Sequence, residues 1–363
     1  MKKLFNHTRL KLARTRRQLT IKELASRVEL TTRMVSEYEK DRCTSQPPES
    51  TILAFSHALN YPADFFFEED EVDTIDVESV SFRSLKSMKA SQQHAAISAG
   101  SLGVILNDFL ASKFELFPVD IPDLSGTAPE IAAEILRSEW ELGNKSISHV
   151  ITIMEMHGVR VFALDENTTA VDAFSFWKDG VPFVFLNTKK SAERSRFDAA
   201  HELAHLILHR NEIPQGKDIE KEADKFASFF LMPRDTILSL NGGCHSIQDI
   251  LTLKLSWKVS AMALIVQMKN VGVISEWQYK TLIIEASRMG LRTNEINSIP
   301  RESSQLIKNI VSTLKSQGTS VGDIARELKL PFDEVTSLLF MFGVVSAEKV
   351  RTSTKKGALQ LIK

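Results

Sequence analysis

Two histidines four residues apart, His201 and His205, enclose a carboxylate in the run His201-Glu202-Leu203-Ala204-His205. On a helix, positions i and i+4 lie about 40° apart, so both imidazoles leave one face and can grip a single zinc ion at roughly 2.0–2.1 Å. Glu202 stands beside that pair rather than beneath it, placed to take a proton from water without occupying the metal. The pattern fixes only three positions, so its surroundings decide. Phe197, Ala200, Ala204, Leu206, Ile207 and Leu208 make the helix largely apolar, and His and Glu are costly there without a partner. A zinc ion is such a partner; the alternative is a buried helix whose histidines bond neighbouring carbonyls.

A catalytic zinc takes three protein ligands and keeps a fourth position open. The next helix offers Glu220, Glu222 and Asp224 beside an apolar stripe of Ala223, Phe226, Ala227, Phe230 and Leu231. Glu220 falls about 60° from Ala223 on the side that carries Asp224, whereas Glu222 falls about 100° the other way, toward solvent. Glu220 is therefore the expected third ligand, and Asp224, one turn on, the expected acceptor for a liganding histidine; both could instead be ordinary surface acids. His209 lies about 80° around the helix and some 12 Å along it from His201, too far to share one ion. Helix-terminal packing is its expected role, at a C-terminus that favours partial positive charge.

These residues need elements to hold them. The 363 residues, 43% hydrophobic and 25% charged, have an ordinary globular composition and exceed the usual size of one core, so two or three domains are expected. Cys43 and Cys244 are far apart and lack CxxC spacing, which argues against a disulfide framework or a cysteine zinc knot and fits a reducing, cytoplasmic setting. Met1–Gln18 is charged throughout and no stretch approaches eighteen uncharged apolar residues, so neither secretion nor a membrane partner is expected. The net charge of −1 hides an asymmetry: Met1–Arg42 carries 12 Lys and Arg against 5 Asp and Glu, while Asp64–Glu78 holds 8 acids and no base. A basic head before an acidic stretch has the form of an electrostatic DNA footprint followed by a solvated linker.

The expected fold class is α+β, mostly α. Residues 6–67 read as a bundle of five short helices, with Thr20 capping the second, Thr31 or Thr32 the third, and Pro47-Pro48 breaking the chain before Ile52–Leu59. Residues 68–80 form the acidic linker. Residues 81–245 then hold helices at Gln92–Phe114, from Pro129 toward Trp140, at about 194–210 and at 218–231. Val159–Leu164 and Pro182–Leu186 are short β-branched and aromatic strands of a small sheet. The edge of Val181–Leu186 could pair with an extended substrate, or the strand could serve packing alone. Residues 246–363 form a helical C-terminal region. Within it, Ile324-Ala325-Leu328 and Val335-Leu338-Leu339 have the spacing of a second small helix-turn-helix, expected to pack or dimerise with Glu327, Asp333 and Glu334 exposed.

In the head, Thr20–Glu39 gives two short helices around a turn near Glu29–Thr31. The second would offer Thr31, Thr32, Arg33 and Ser36 to base edges and phosphates, with Lys22 and Arg42 on backbone phosphate; a helical interaction module with solvated basic side chains is the alternative. Leu24-Ala25, Val35-Ser36-Glu37-Tyr38-Glu39 and Leu53-Ala54-Phe55-Ser56-His57-Ala58-Leu59 resemble the XRE (Cro/C1-like) family of helix-turn-helix domains. That resemblance implies that Thr31–Tyr38 enters the major groove of a double-stranded operator and that the protein works as a homodimer. Asp41 stands where the family usually has glycine, and Cys43–Gln46 lengthens the following loop.

Farther on, Phe82-Arg83-Ser84-Leu85, Trp140-Glu141-Leu142-Gly143, Val171-Asp172-Ala173-Phe174-Ser175, the run Arg196–His209, Glu220-Lys221-Glu222-Ala223-Asp224-Lys225-Phe226-Ala227 and Phe230-Leu231-Met232-Pro233 resemble, in order, the ImmA/IrrE-type metallo-endopeptidases fused behind an XRE domain. The resemblance implies a gluzincin-like fold, a His-His-Glu zinc site of His201, His205 and Glu220, Glu202 as general base, and endoproteolysis of a repressor or antitoxin in a phage, mobile-element or stress circuit. Asp224 replaces the asparagine more common in the family and remains a good acceptor. The competing expectation is a transcriptional regulator or antitoxin whose zinc portion is a non-proteolytic sensor or scaffold; the intact Glu202 favours the peptidase.

Overall fold

The computed structural model describes residues 4–40, 46–68, 75, 80–82, 89–164, 173–210, 216–240 and 246–339. Arg42, Cys43, Cys244 and most of the acidic linker lie outside them. The first helices are α1 (His7–Arg16), α2 (Ile21–Arg27), α3 (Thr32–Tyr38) and α4 (Glu49–Leu59), and the fifth expected helix is a 3₁₀ turn, Ala63–Phe67. Their starts follow cap chemistry: Thr20 and Glu23 form a reciprocal capping box, and the Thr31 hydroxyl accepts from the Met34 N–H. Leu10, Leu24, Val35, Phe55 and Phe65 are fully buried between them. Arg14 reaches both carboxylate oxygens of Glu39, at 2.6 and 2.8 Å, and so ties the end of α1 to the end of α3.

Behind the bundle come β1 (Ser81–Phe82), α5 (Ala90–Lys113), α6 (Pro129–Glu139), α7 (Val150–Met156), β2 (Arg160–Leu164), β3 (Ala173–Lys178), β4 (Val181–Asn187), α8 (Ala192–Leu208) and α9 (Lys217–Leu231). The strands form one sheet in the order β1-β3-β4-β2, with β4 antiparallel to β3 and parallel to β2. The β3–β4 hairpin turns on Asp179-Gly180, both at positive φ (50° and 76°), the requirement of a type I′ turn. Alternation along β3 sends Phe174 and Phe176 to one face and Ser175 and Trp177 to the other. On the first face Phe162, Phe174, Phe176, Phe183 and Phe185 stack, with Phe174 and Phe185 centroids 4.6 Å apart. Helix α5 lies against those rings because Gly100 and Gly103 have no side chain there; a Cβ at Gly103 would stand 2.5 Å from the Phe185 ring. On the second face lies α8, where the Trp177 indole donates to the Leu206 carbonyl. Helix α9 packs between α8 and α6, and the buried Arg137 guanidinium of α6 donates to the carbonyls of Phe230, Gly143 and Lys145.

Two sequence expectations change. The strand Val181–Leu186 is interior, flanked by β3 and β2, so it has no free edge for a substrate; the edge strands are β1 and β2. Helix α5 is long and apolar enough by composition to cross a membrane, yet 72% of its most apolar window is buried in the fold. The second change lies in the C-terminal helices, α10 (Arg234–Leu238), α11 (Ile247–Trp257), α12 (Ala261–Asn270), α13 (Glu276–Arg288), α14 (Gln305–Ser316), α15 (Val321–Glu327) and α16 (Phe332–Leu339). Glu327 and Asp333 are exposed, but Glu334 is buried. Its carboxylate meets Arg16 Nε at 2.8 Å and Arg17 Nη1 at 2.9 Å, with the Tyr61 hydroxyl at 3.5 Å. Helix α16 thereby packs on β2 and α5 through Val335, Leu338 and Leu339 while gripping the end of α1. Helix α1 lies along α5, where the Thr15 and Ser98 hydroxyls stand 2.7 Å apart.

Candidate metal centre and DNA-reading surface

Helix α8 is fixed from three sides before its histidines are considered. Leu203, Ala204 and Ile207 are fully buried, Ser191 caps the helix by accepting from the Arg194 N–H, and the fully buried Arg196 pairs with Glu302, whose other oxygen accepts from the Ile151 N–H. On that rod His201 and His205 turn their Nε2 atoms to within 3.1 Å of each other. Glu220, in the first turn of α9, completes the group: Oε2 lies 3.4 Å from His201 Nε2 and Oε1 lies 3.5 Å from His205 Nε2. Donors about 2.0–2.1 Å from a tetrahedral ion stand roughly 3.3–3.4 Å from one another, and each of these distances is close to that value, with Glu220 facing one histidine through each oxygen. Two imidazole nitrogens facing each other and a carboxylate are a donor set that suits zinc.

The environment also sets the protonation forms that a metal needs. Burial pushes the His205 imidazole down to about 4, and it is neutral near pH 7. For Glu220 burial acts upward, but the hydrogen bonds and charges of His201 and His205 outweigh it and hold the carboxyl at about 2. Neutral imidazole and ionised carboxylate are the ligand forms.

Glu202 is fully buried on the side facing the sheet. Oε2 accepts from the Ser175 hydroxyl of β3 at 2.7 Å, while Oε1 is buried without a hydrogen-bond partner among the described residues. Burial pushes this carboxyl up to about 8, with His201 and the Ser175 bond pulling the other way. A cation held by the neighbouring trio would draw it down again, since an opposite charge a few ångströms away favours the ionised form.

Around the trio the far nitrogens of both histidines are engaged. His201 Nδ1 lies 3.0 Å from Asp224 Oδ1. His205 Nδ1 lies 3.1 Å from His209 Nδ1, and His209 Nε2 lies 3.1 Å from Glu222 Oε2. His209 is thus more than helix-terminal packing, and Glu222, though half exposed, is turned back to the helix. Spacing along the helix excludes His209 as a ligand and leaves it a packing role, because it carries no signal for a partner one turn beyond a ligand. Ser175 was missed in another way: 27 residues separate it from Glu202, and only the strand pairing brings it there.

A cavity of about 540 Å³ opens beside the site, walled by Phe197 one turn before His201, by Asp224, and by Met262, Val266 and Leu291, with Lys189, Lys190, Arg194 and Arg292 among its lining residues.

In the N-terminal bundle Thr32 and Arg33 are exposed on the leading turn of α3, Ser36 is half-buried, and Thr31 is exposed with its hydroxyl already serving as the cap. Lys22 is exposed on the first turn of α2. Arg42 falls outside the described residues.

Comparison with known families gives two matches. Residues 154–269 match a peptidase family model described as an IrrE N-terminal-like domain, and residues 10–66 match one described as helix-turn-helix. No curated protein matched the chain. The two segments stand in the order of the fusion that the motifs imply, and they support a DNA-binding regulator joined to an IrrE-like peptidase portion. The first match spans the trio, Glu202 and Ser175; the second spans all the described residues of the reading surface.

Proposed function

We propose that this protein is a DNA-bound zinc metallo-endopeptidase that cuts a regulatory protein, a repressor or an antitoxin, with residues 6–67 reading DNA and residues 81–245 carrying the chemistry. The observation that carries the reading is the trio His201, His205 and Glu220, its ligand atoms gathered closely enough to hold one ion, beside a buried carboxylate with one oxygen bonded to Ser175 and the other without a partner among the described residues. In that trio a zinc ion would supply Lewis acidity toward a peptide carbonyl and an acidified water. The protein's own residues do the rest. Ser175 holds Glu202 Oε2, which leaves Oε1 to take a proton from water. Glu202 then returns that proton to the departing amine, acting first as base and then as acid. The cavity beside the site gives a peptide side chain an apolar seat on Phe197, Met262 and Val266.

At the other end, Thr32, Arg33 and Ser36 enter the major groove while Lys22 and Arg42 hold phosphate, on two half-sites bound by a homodimer. The test is paired. The purified chain is expected to carry close to one zinc per protomer. Cells expressing it are expected to show new protein N-termini that vanish with Glu202→Gln while zinc content and operator binding stay unchanged. Identical N-termini in the two strains, with zinc present in both, would remove proteolysis and leave a metal-containing regulator.

A further inference from the structure

The two histidines of the trio are anchored by unequal devices, and the difference assigns work to two residues with no role so far. Resting on the metal reading above, we infer that His209 and Glu222 form a relay that orients His205 for the ion. The direction of each hydrogen bond follows from the metal. A histidine that ligates through Nε2 keeps its lone pair there, so its proton sits on Nδ1. For His205 that proton points at His209 Nδ1, 3.1 Å away, which must then be the acceptor. His209 consequently carries its own proton on Nε2, which donates to Glu222 Oε2 at 3.1 Å. The order is fixed as His205 to His209 to Glu222, with no freedom left for either tautomer. His201 reaches its carboxylate in one step, through Asp224 at 3.0 Å.

Both lines end on α9, the helix that also supplies Glu220. One helix thus provides the third ligand and the acids that set both imidazole planes. His209 is buried at the C-terminal cap of α8, its backbone N–H bonded to the His205 carbonyl, so its ring is held at that post by the helix end. His209 and Glu222 are positioning residues: they touch neither ion nor substrate.

The measurement is zinc affinity of the full-length protein, by competition with a chromophoric chelator at fixed pH, so it needs no substrate. His209→Ala is expected to weaken zinc binding about 10- to 100-fold, the usual cost of losing an outer partner of a metal histidine. His209→Gln, which restores an accepting oxygen, should recover part of it. Glu222→Ala should weaken binding in the same direction, and the double variant His209→Ala/Glu222→Ala should be no worse than His209→Ala alone, because Glu222 acts only through His209. The absorption bands of the cobalt-loaded protein should shift in His209→Ala as the imidazole plane is released. Should His209→Ala fail to fold, Glu222→Ala at its half-exposed position decides the matter. Wild-type affinity in Glu222→Ala, or losses that add in the double variant, would overturn the relay alone. A wild-type chain that takes up no zinc would overturn the metal reading beneath it.

Discussion

At the scale of single residues, the site depends on which oxygen of Glu202 is spoken for. The Ser175 hydroxyl fixes one, and the other is buried without a hydrogen-bond partner among the described residues. Ser175→Ala should therefore leave zinc content near one equivalent while lowering turnover, and should cost about 1–3 kcal/mol of stability from the buried oxygen stripped of its partner. Unchanged turnover at unchanged stability would mean that Glu202 is held by packing alone. The histidines were legible in the sequence because spacing on one helix fixes a direction, and Glu220 could be preferred over Glu222 because an apolar stripe defines which way its helix faces. Ser175 was not, since no local period joins a strand to a helix 27 residues away. His209 and Glu222 escaped because a helical wheel gives the angle of a backbone position and not the reach of a long side chain bending back.

At the scale of elements, α8 is held in place by the layers beneath it. The phenylalanine ladder on the far face of the sheet admits α5 only where Gly100 and Gly103 remove side chains. Gly103→Ala puts a methyl where the Phe185 ring stands, and the expected loss is about 1–3 kcal/mol, read as a lowered urea midpoint; an unchanged midpoint would mean that α5 can shift freely on the sheet. That packing was only half legible. The Asp179-Gly180 dipeptide between two alternating runs is a strong hairpin signal and accounts for one neighbour of β4, whereas the parallel pairing with β2 that covers its other side has no local signal. Beside β2, Glu155 of α7 accepts from the Leu306 N–H at the start of α14, and burial pushes its carboxyl up to about 7. The folded form therefore holds its proton more tightly than the unfolded form, whose carboxyl titrates near 4.5. Stability contributed by the proton is complete below pH 4.5 and is lost as the pH rises toward 7. The wild type should lose up to about 3 kcal/mol over that window from this group. Glu155→Gln should flatten that part of the slope in urea unfolding at successive pH values, and an identical slope in both proteins would place the titration elsewhere.

At the scale of the whole molecule, the C-terminal helices join what the sequence separated. The apolar spacing of α15 and α16 was legible as a helix pair, but the burial of Glu334 was not, because the cations that cover it come from the other end of the chain. With Arg16, Arg17 and Tyr61 closing on it, Glu334 sits at the seam between the N-terminal bundle and the sheet. Removing one partner of such a buried pair leaves uncompensated charge, at about 3–5 kcal/mol. Glu334→Ala should therefore split one melting transition into two, read by calorimetry, with zinc content unaffected. A single transition at the wild-type midpoint would show that the seam rests on the apolar contacts of α1 with α5.

The same seam leaves Thr32, Arg33 and Met34 of α3 uncovered. On the proposed function, reading DNA and staying docked are then compatible states of one chain, and a peptidase held in this way would not roam the volume that a loose tether would allow. On the proposed function, a target bound at a neighbouring half-site meets the cutting centre at an effective concentration set by geometry, in the millimolar range for short spans, and a target at the wrong spacing meets none. Selectivity would then be a matter of address on the operator, with the residues around the scissile bond left free to vary.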